Sequence, residues 1–317
     1  MTKNSNIIDI IFPATSCTGQ EVLAMKNYLH NLNLVPRILF EATVTPRANH
    51  RCSLSNFSAQ VRFKQLYEAL KSQDSKLVWC GRGGYSSGDL LPFLAKSKPI
   101  EQNKMFIGFS DITSISTFLQ QNWGWKIICA PLPMQLIKNG KLPVNKKAEQ
   151  ELLGLIFGKI TSFKYALTPL GPINQNKKNI KAEIVGGCLS VLSGHFGGNF
   201  QINFADKILF LEDVEESGER LDRYFRQIIE VILRTKQKPK AILLGEFCYG
   251  IKDKFLRENI DQAIRNLIKR IEELKLEIPV FKAKDALGHS EKMRPLILGA
   301  SSTIKIADSQ LVIPKIF

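Results

Sequence analysis

The chain has 317 residues, 44% of them hydrophobic, and this length is typical of proteins that divide into two domains. Its 44 basic residues outnumber the 29 acidic ones by 15, so the surface favours anionic partners without selecting one class of them. No apolar run has the length of a membrane span, and Asp9 and Pro13 interrupt the first one, which we interpret as a buried strand and not as a secretory signal.

The first half of the chain alternates short β-rich runs with helical patterns. In chain order the runs are IIDIIF, VLAMKNYLHNL, RILFEATV, VRFKQLYEALKS, KLVWC, DLLPFLAK, MFIGFS and ITSISTFLQQ. This alternation predicts an α/β lobe with a parallel sheet of the flavodoxin or Rossmann kind. Ligands of such sheets bind beyond the carboxyl ends of the strands, so the strand-to-helix turns are where chemistry is expected.

The second half lacks this regular alternation. We predict an N-terminal domain over residues 1–165, a linker rich in Pro, Gly, Asn and Lys over residues 166–181, and a smaller C-terminal domain over residues 182–317. Strand patterns such as KILFLE, AILLGEF and PVFKAK mix there with two long amphipathic helices. The C-terminal lobe is therefore predicted to be α+β.

The cysteines and the basic residues indicate which ligands to expect. The six cysteines form no C-x-x-C pair, so neither a zinc ribbon nor a dithiol redox site is indicated, and reduced core thiols of a cytoplasmic protein fit best. The basic residues are scattered, and no helix-turn-helix, zinc finger or aromatic RNA-binding motif organises them. We therefore expect no nucleic acid, membrane, metal or organic cofactor as a partner.

Two strand-to-helix turns carry candidate functional residues. The first, GFSDI, places Ser110 at the start of a helix, where backbone N–H groups favour developing negative charge, as in a nucleophile elbow. An N-cap role is the plainer alternative for this serine, and Ile112 replaces the second glycine of G-x-S-x-G. The second, GRGGYSSGD, has glycines that let backbone N–H groups approach an anion, or that simply make a turn.

An acid and an imidazole are the remaining candidates for catalysis. Glu212 ends the strand KILFLE, where a carboxylate can orient an imidazole, although it could equally belong to a solvated acidic loop. Of the four histidines, His30 and His50 lie in patterns typical of the surface, and His195, between glycines, is a reserve candidate. His289 follows a strand and a glycine, where a loop can present it to a cleft.

Five segments, in order, resemble the motif blocks of the LD-carboxypeptidases, a serine peptidase family that includes the microcin C self-immunity peptidases. The segments are RGGYSSGDLL, GFSDIT, GGCLSVLSG, ILFLEDVEE with RLDR behind it, and GHSEKMRPLILGA. They extend from about Leu77 to Ala300. The resemblance implies an N-terminal lobe with the nucleophile, a C-terminal lobe with the acid and the base, and a homodimer.

The resemblance also implies roles for individual residues. These are the nucleophile Ser110, the acid Glu212, the base His289, the backbone oxyanion donors Gly84 and Asp111, and the substrate contacts Arg82 and Tyr85. Arg82 has an equally plausible structural role in holding its loop. The sequence departs from the family at Ser86, where a glycine is usual, and at Ser290 and Met293 after the histidine. These departures affect the expected substrate contacts more than the triad.

The expected reaction is hydrolysis of the amide between an L-configured centre and the terminal D-alanine of a murein tetrapeptide, in peptidoglycan recycling. Such small peptides are rich in carboxylates, which suits a basic protein. An immunity-type peptidase with the same triad is one alternative, but residues 174–180 look too short and polar for the aromatic platforms of those relatives. A non-catalytic binder of acidic peptide or nucleic acid is the alternative from another class.

Overall fold

The computed structural model describes residues 6–38, 57–137, 144–171, 179–248 and 250–314. It divides into two compact units, Met1–Glu149 and Gln150–Phe317. None of the helices in the described ranges combines the length and the apolarity that a bilayer span requires.

Within the described ranges, the N-terminal unit contains a parallel sheet with the strand order β5-β4-β3-β1-β2. The strands are β1 (Ile7–Ile11), β2 (Val35–Ile38), β3 (Leu77–Cys80), β4 (Met105–Ile107) and β5 (Ile127–Cys129). This is the flavodoxin-like order, which confirms the predicted α/β lobe. The rest of the predicted strand that contains β2, from residue 39 on, lies outside the described residues.

The helices of the N-terminal half are α1 (Gly19–His30), α2 (Ala59–Lys71), α3 (Leu91–Ala95), α4 (Thr113–Trp123), α5 (Pro133–Leu136) and α6 (Lys146–Ile156). The first four follow the predicted pattern, whereas α5 and α6 were not predicted. A capping box starts α1, because the Thr18 hydroxyl accepts a hydrogen bond from Glu21 N–H and the Glu21 carboxylate accepts one from Thr18 N–H. All four residues of β3 are buried, as expected of a parallel strand that is covered on both faces.

The C-terminal unit contains a closed barrel with the strand order β10-β6-β13-β12-β7-β8-β9. The strands of this unit are β6 (Phe163–Leu170), β7 (Ile180–Cys188), β8 (Ile208–Glu212), β9 (Ala241–Leu244), β10 (Val280–Ala283), β11 (Leu296–Leu298), β12 (Ser301–Lys305) and β13 (Gln310–Ile313). Pairing is parallel along β7-β8-β9-β10 and antiparallel through β6, β12 and β13. This mixture explains why the sequence shows no regular alternation.

Three helices of this unit are α7 (Leu189–Ser193), α8 (Gly218–Thr235) and α9 (Lys254–Glu273). The apolar faces of α8 and α9 share one core with the parallel strands, and this core includes Leu209, Leu211, Leu221, Phe225, Ile228, Ile242, Leu244, Ile264 and Leu267. Side-chain caps define where both long helices begin, with Ser217 accepting from Arg220 N–H and Asp253 from Leu256 N–H. The core fixes the ends of β7, β8 and β9.

The division between the units differs from the predicted one. It follows Glu149, within α6, and the C-terminal unit is the longer of the two rather than the smaller. Of the predicted linker, residues 166–170 belong to β6 and residues 180–181 to β7, while residues 172–178 lie outside the described residues. Burial alternates along β6, as expected of a strand with one covered face. The polar composition of the residues that follow β6 concealed this pattern in the sequence.

Candidate active site

The turn after β4 holds Ser110 in a strained backbone conformation. Ser110 opens a 3₁₀ turn, Ser110–Ile112, that leads into α4, and its φ of 63° lies in the left-handed region that non-glycine residues seldom adopt. Phe109 and Ile112 take the N-cap positions of this turn and of α4, so the N-cap alternative for Ser110 is wrong. A sharp strand-to-helix turn with a strained serine is the geometry of a nucleophile elbow.

The glycine-rich loop after β3 lies directly against this serine. A Cβ atom on Gly83 would be 2.9 Å from Ser110 Cβ and 3.1 Å from its Oγ, so a residue without a side chain is required there. Gly84 has a φ of +117°, and a Cβ atom on it would collide with the Thr15 side chain. Thr15 ties this loop to the one after β1, because its hydroxyl accepts from Tyr85 N–H at 3.1 Å and its N–H donates to the Gly83 carbonyl at 3.3 Å.

The two predicted substrate contacts occupy different positions on this loop. Tyr85 is exposed at 58% of its surface. Arg82 is half-buried, and its Nη1 lies 3.5 Å from the carbonyl oxygen of Ser16 in the loop after β1, which favours the structural role. Burial and the charge of Glu21 raise the pKa of the neighbouring Cys17 to about 12, against the opposing effect of Arg82, so this thiol stays protonated at neutral pH.

In the C-terminal unit, Glu212 and His289 form a buried pair. His289 Nδ1 lies 2.8 Å from Glu212 Oε2, and the backbone N–H of His289 donates to the same oxygen at 3.0 Å. Only 4% of His289 is exposed, and Glu212 is fully buried. One carboxylate oxygen thus fixes the orientation of the ring through Nδ1. The alternative in which Glu212 belongs to a solvated loop is wrong.

Two glycines create the space for this carboxylate. A Cβ atom on Gly288, whose φ is +96°, would lie 2.5 Å from Glu212 Oε2. A Cβ atom on Gly245 would lie 3.1 Å from Glu212 Cβ and 2.3 Å from the Leu287 carbonyl oxygen. The glycine before His289 was visible in the sequence, but the contact that requires it spans 76 positions and was not.

The pKa of His289 reflects opposing effects. Burial lowers it, whereas the charge of Glu212, the hydrogen bond to that carboxylate and the charges of Asp213 and Glu215 raise it, and the net effect is an increase above 6.5. The acidic stretch that follows β8 therefore stabilises the imidazolium form. A base with this environment accepts a proton readily and holds it while charge develops.

Asp213 is a second buried carboxylate next to the pair. Its oxygens accept hydrogen bonds from Ser190 N–H at 2.7 Å and Val214 N–H at 2.9 Å, and Cys188 Sγ lies 3.3 Å away. Burial, followed by the charge of Glu212, raises the pKa of Asp213 from 3.8 to about 6. Asp213 thus connects the ends of β7 and β8 near the imidazole. The sequence position of Asp213 does not reveal this role.

The elevated pKa of Asp213 predicts how stability changes with pH. The folded chain holds this proton more tightly than the unfolded chain, so the stabilisation is complete below about pH 4 and is lost as the pH rises through about 6. The loss is on the order of 2–3 kcal/mol for a shift of this size. Urea unfolding between pH 4 and 8 should therefore show that wild type loses stability relative to Asp213→Asn as the pH rises.

Asp222→Asn is the matched control for this measurement. Its hydrogen bond with Arg270 lowers the pKa of Asp222 from 3.8, so this carboxylate is ionised in the folded and the unfolded chain over most of the range from pH 4 to 8, and the difference between Asp222→Asn and wild type should change little there. Parallel pH curves for wild type and Asp213→Asn would contradict the assignment.

The other histidines have different positions in the sequence and the fold. His30 ends α1 and is exposed, and His50 lies outside the described residues. The reserve candidate His195 is half-buried in the turn after α7, and the structure pairs Glu212 with His289 instead. Within the described ranges, no group of three or more His, Cys, Asp or Glu residues is arranged to hold a metal ion.

Known proteins are similar to this chain along most of its length. Residues 8–130 match the family model of the LD-carboxypeptidase N-terminal domain, and residues 181–304 match that of the C-terminal domain. A putative carboxypeptidase of Rickettsia conorii is 31% identical over 94% of this chain and 87% of its own length. The murein tetrapeptide carboxypeptidase of Pseudomonas aeruginosa is 26% identical over 78% of each chain.

Solved structures show the same fold. The muramoyltetrapeptide carboxypeptidase from Oxalobacter formigenes superposes with a TM-score of 0.73 at 22% identity, covering 97% of this chain and 98% of its own. The microcin C7 self-immunity protein MccF, in complex with glutamyl sulfamoyl guanosine, superposes with a TM-score of 0.69 at 17% identity, covering 98% and 96%. With both domain models matched and a relative above 30% identity along nearly the whole chain, this protein belongs to the LD-carboxypeptidase family.

Proposed function

We propose that this chain is a serine-type LD-carboxypeptidase that removes the terminal D-alanine from murein tetrapeptides, with Ser110, Glu212 and His289 as its catalytic triad. The observation that carries the proposal is the buried Glu212–His289 pair, in which a single carboxylate oxygen holds the ring. The strained turn of Ser110 supports it from the other unit. A cytoplasmic location and a homodimer, both expected from the resemblance, belong to the same proposal.

The proposed reaction proceeds through an acyl-enzyme. Ser110 Oγ attacks the carbonyl carbon of the scissile amide while His289 Nε2 takes the hydroxyl proton, and Glu212 stabilises the imidazolium. The backbone N–H groups of Gly84 and Asp111 stabilise the oxyanion, and each such donor typically contributes about 10²–10³ in rate. His289 then gives the proton to the leaving amine of D-alanine, and water, activated by the same imidazole, hydrolyses the ester.

The substrate class is supported by charge and by the relatives. Murein peptides carry several carboxylates, and the net charge of +15 on this chain favours their approach. Relatives along much of the chain are named as murein peptide or murein tetrapeptide carboxypeptidases. The proposed hydrolysis releases D-alanine as a free amino acid and requires no cofactor.

Release of D-alanine tests the proposal directly. Wild type incubated with a murein tetrapeptide should liberate D-alanine, and Ser110→Ala should reduce that rate by at least about 10³-fold because no nucleophile remains. Ser116→Ala is the matched control, since Ser116 is a buried serine of α4 whose hydroxyl has no hydrogen-bond partner among the described residues. Activity that survives in Ser110→Ala, or that a chelator abolishes, would reject the serine mechanism.

The immunity-type peptidase activity is the alternative to be compared with murein tetrapeptide hydrolysis. Residues 174–180, which look too short and polar for aromatic platforms, lie outside the described residues except for Asn179 and Ile180. An aminoacyl sulfamoyl nucleotide and a murein tetrapeptide should therefore be tested side by side. Faster cleavage of the nucleotide would replace the proposed substrate while leaving the triad in place.

A further inference from the structure

Two hydrogen bonds connect the glycine-rich loop to the nucleophile turn. The backbone N–H of Ser87 donates to Asp111 Oδ2 at 2.8 Å, and the Ser87 hydroxyl donates to the Asp111 carbonyl oxygen at 2.5 Å. Ser87 is fully buried and Asp111 is 8% exposed. We call this pair of contacts the Ser87–Asp111 bridge. It joins the two segments whose N–H groups are the proposed oxyanion donors.

Each residue of the bridge follows a serine with a left-handed backbone conformation. Ser86 has a φ of 80° and Ser110 a φ of 63°, and each such residue typically costs on the order of 1–3 kcal/mol unless its surroundings impose the conformation. The Ser86 hydroxyl is also buried without a hydrogen-bond partner among the described residues, at the position where the family usually has a glycine. Both strained serines are sequence neighbours of a bridge residue, so the bridge opposes their relaxation.

A buried arginine holds the other side of the loop. Arg62, on α2, is 2% exposed, and its Nη1 donates to the carbonyl oxygens of Ser86 at 2.9 Å and Pro13 at 2.6 Å. Burial lowers the pKa of Arg62, whereas the charges of Asp89 and Asp111 raise it. The Asp111 carboxylate therefore has two effects, since it accepts from Ser87 and helps to keep the guanidinium charged.

We propose that the side chains of Ser87 and Asp111 are positioning residues, which hold the glycine-rich loop against the nucleophile turn so that the N–H groups of Gly84 and Asp111 point at one developing oxyanion. This inference rests on the proposed function. A hydrogen-bond donor contributes only when it lies about 2.7–3.1 Å from the oxyanion, so a small shift of the loop removes its effect. The bridge acts on the transition state and leaves the binding of the ground state nearly unchanged.

The bridge predicts a specific kinetic pattern. Ser87→Ala and Asp111→Ala should lower kcat for D-alanine release by about 10²-fold with KM changed less than about threefold, because each variant loosens one oxyanion donor. Asp111→Asn should retain activity within about fivefold, because the amide oxygen can still accept from Ser87 N–H. A loss in Asp111→Asn as large as in Asp111→Ala would overturn the positioning role of this hydrogen bond.

Ser75→Ala is the matched control for a merely structural role. Ser75 is buried in the same unit, and its hydroxyl donates to an Asp9 carboxylate oxygen at 2.5 Å, just before the opposite, amino end of β3. Ser87→Ala loses one buried side-chain hydrogen bond, typically about 1 kcal/mol of stability. Ser75→Ala loses at least as much stability, because Ser75 Oγ also accepts from Lys104 Nζ at 3.2 Å, but only Ser87→Ala should lose kcat. Equal losses of kcat in Ser75→Ala and Ser87→Ala would refute the proposal.

A second readout separates this inference from the proposed function. Hydrogen–deuterium exchange over residues 82–89 should accelerate at least about tenfold in Ser87→Ala and stay unchanged in Ser75→Ala, whatever the substrate is. Unchanged exchange in Ser87→Ala would refute the bridge even if wild type is active. Wild type that releases no D-alanine, together with the predicted exchange, would refute the proposed function and the catalytic consequence while leaving the bridge established.

Discussion

Replacement of Glu212 by glutamine should lower kcat by about 10³-fold while the protein stays folded. The His289 backbone N–H and ring Nδ1 both meet the same carboxylate oxygen, Oε2, so a glutamine whose amide oxygen takes that place keeps both contacts. The other oxygen, Oε1, has no hydrogen-bond partner among the described residues, so the NH₂ group enters a space without an acceptor. What the variant loses is the charge that stabilises the imidazolium.

The same substitution should move the pH profile. The net pKa of His289 is above 6.5, and the base must be neutral to act, so the acid limb of kcat/KM for wild type should have its midpoint above 6.5. Burial opposes protonation, and in Glu212→Gln the largest counteracting charge is gone, so the midpoint should fall. Rates of D-alanine release between pH 5 and 9 measure both midpoints.

Glu183→Gln controls for the loss of one negative charge. Glu183 is exposed on β7 and pairs with Lys207 at 2.6 Å, so its replacement should leave both kcat and the midpoint unchanged. An unaltered midpoint in Glu212→Gln, or an equal shift in Glu183→Gln, would show that the Glu212–His289 pair does not determine the titration of the base.

The sequence was sufficient for the features that local patterns encode. The alternation of apolar runs gave the parallel sheet, and the chemistry of strand ends pointed to Ser110 and Glu212 as candidates. Local context made His289 a candidate among the four histidines, and the resemblance assigned it the role of the base. Pairing that histidine with a carboxylate 77 positions away needs the fold, since no periodicity reports a contact of that range.

Features that depend on tertiary contacts were not predictable. The sequence pattern predicts that Arg62 is an ordinary polar residue of an amphipathic helix. In the structure, Arg62 is buried and donates to carbonyl groups 24 and 49 positions away. The β6 strand was assigned partly to a linker, because the barrel that makes its alternate residues buried closes with β10 and β13, more than 100 positions later in the chain. A short window of sequence contains no signal for either of these long-range contacts.

Gly288→Ala should damage both activity and stability, although it adds only one methyl group. The new methyl group would lie 2.5 Å from Glu212 Oε2 and 2.6 Å from its Cγ, so the carboxylate must move by roughly 1 Å. A displacement of that size in a catalytic group typically costs about 10²-fold in rate. The positive φ of +96° adds strain, and we expect a total loss of about 2–4 kcal/mol in the free energy of unfolding.

Gly158→Ala separates the strain from the collision. Gly158 has a similar backbone conformation, with a φ of +71°, but a methyl group there meets no described atom within 4 Å. This variant should lose only about 1 kcal/mol of stability and keep full activity, because it carries the backbone cost alone. Urea unfolding and the rate of D-alanine release should be measured for both variants. If Gly158→Ala loses as much activity as Gly288→Ala, then backbone strain, and not displacement of the Glu212 carboxylate, accounts for the loss.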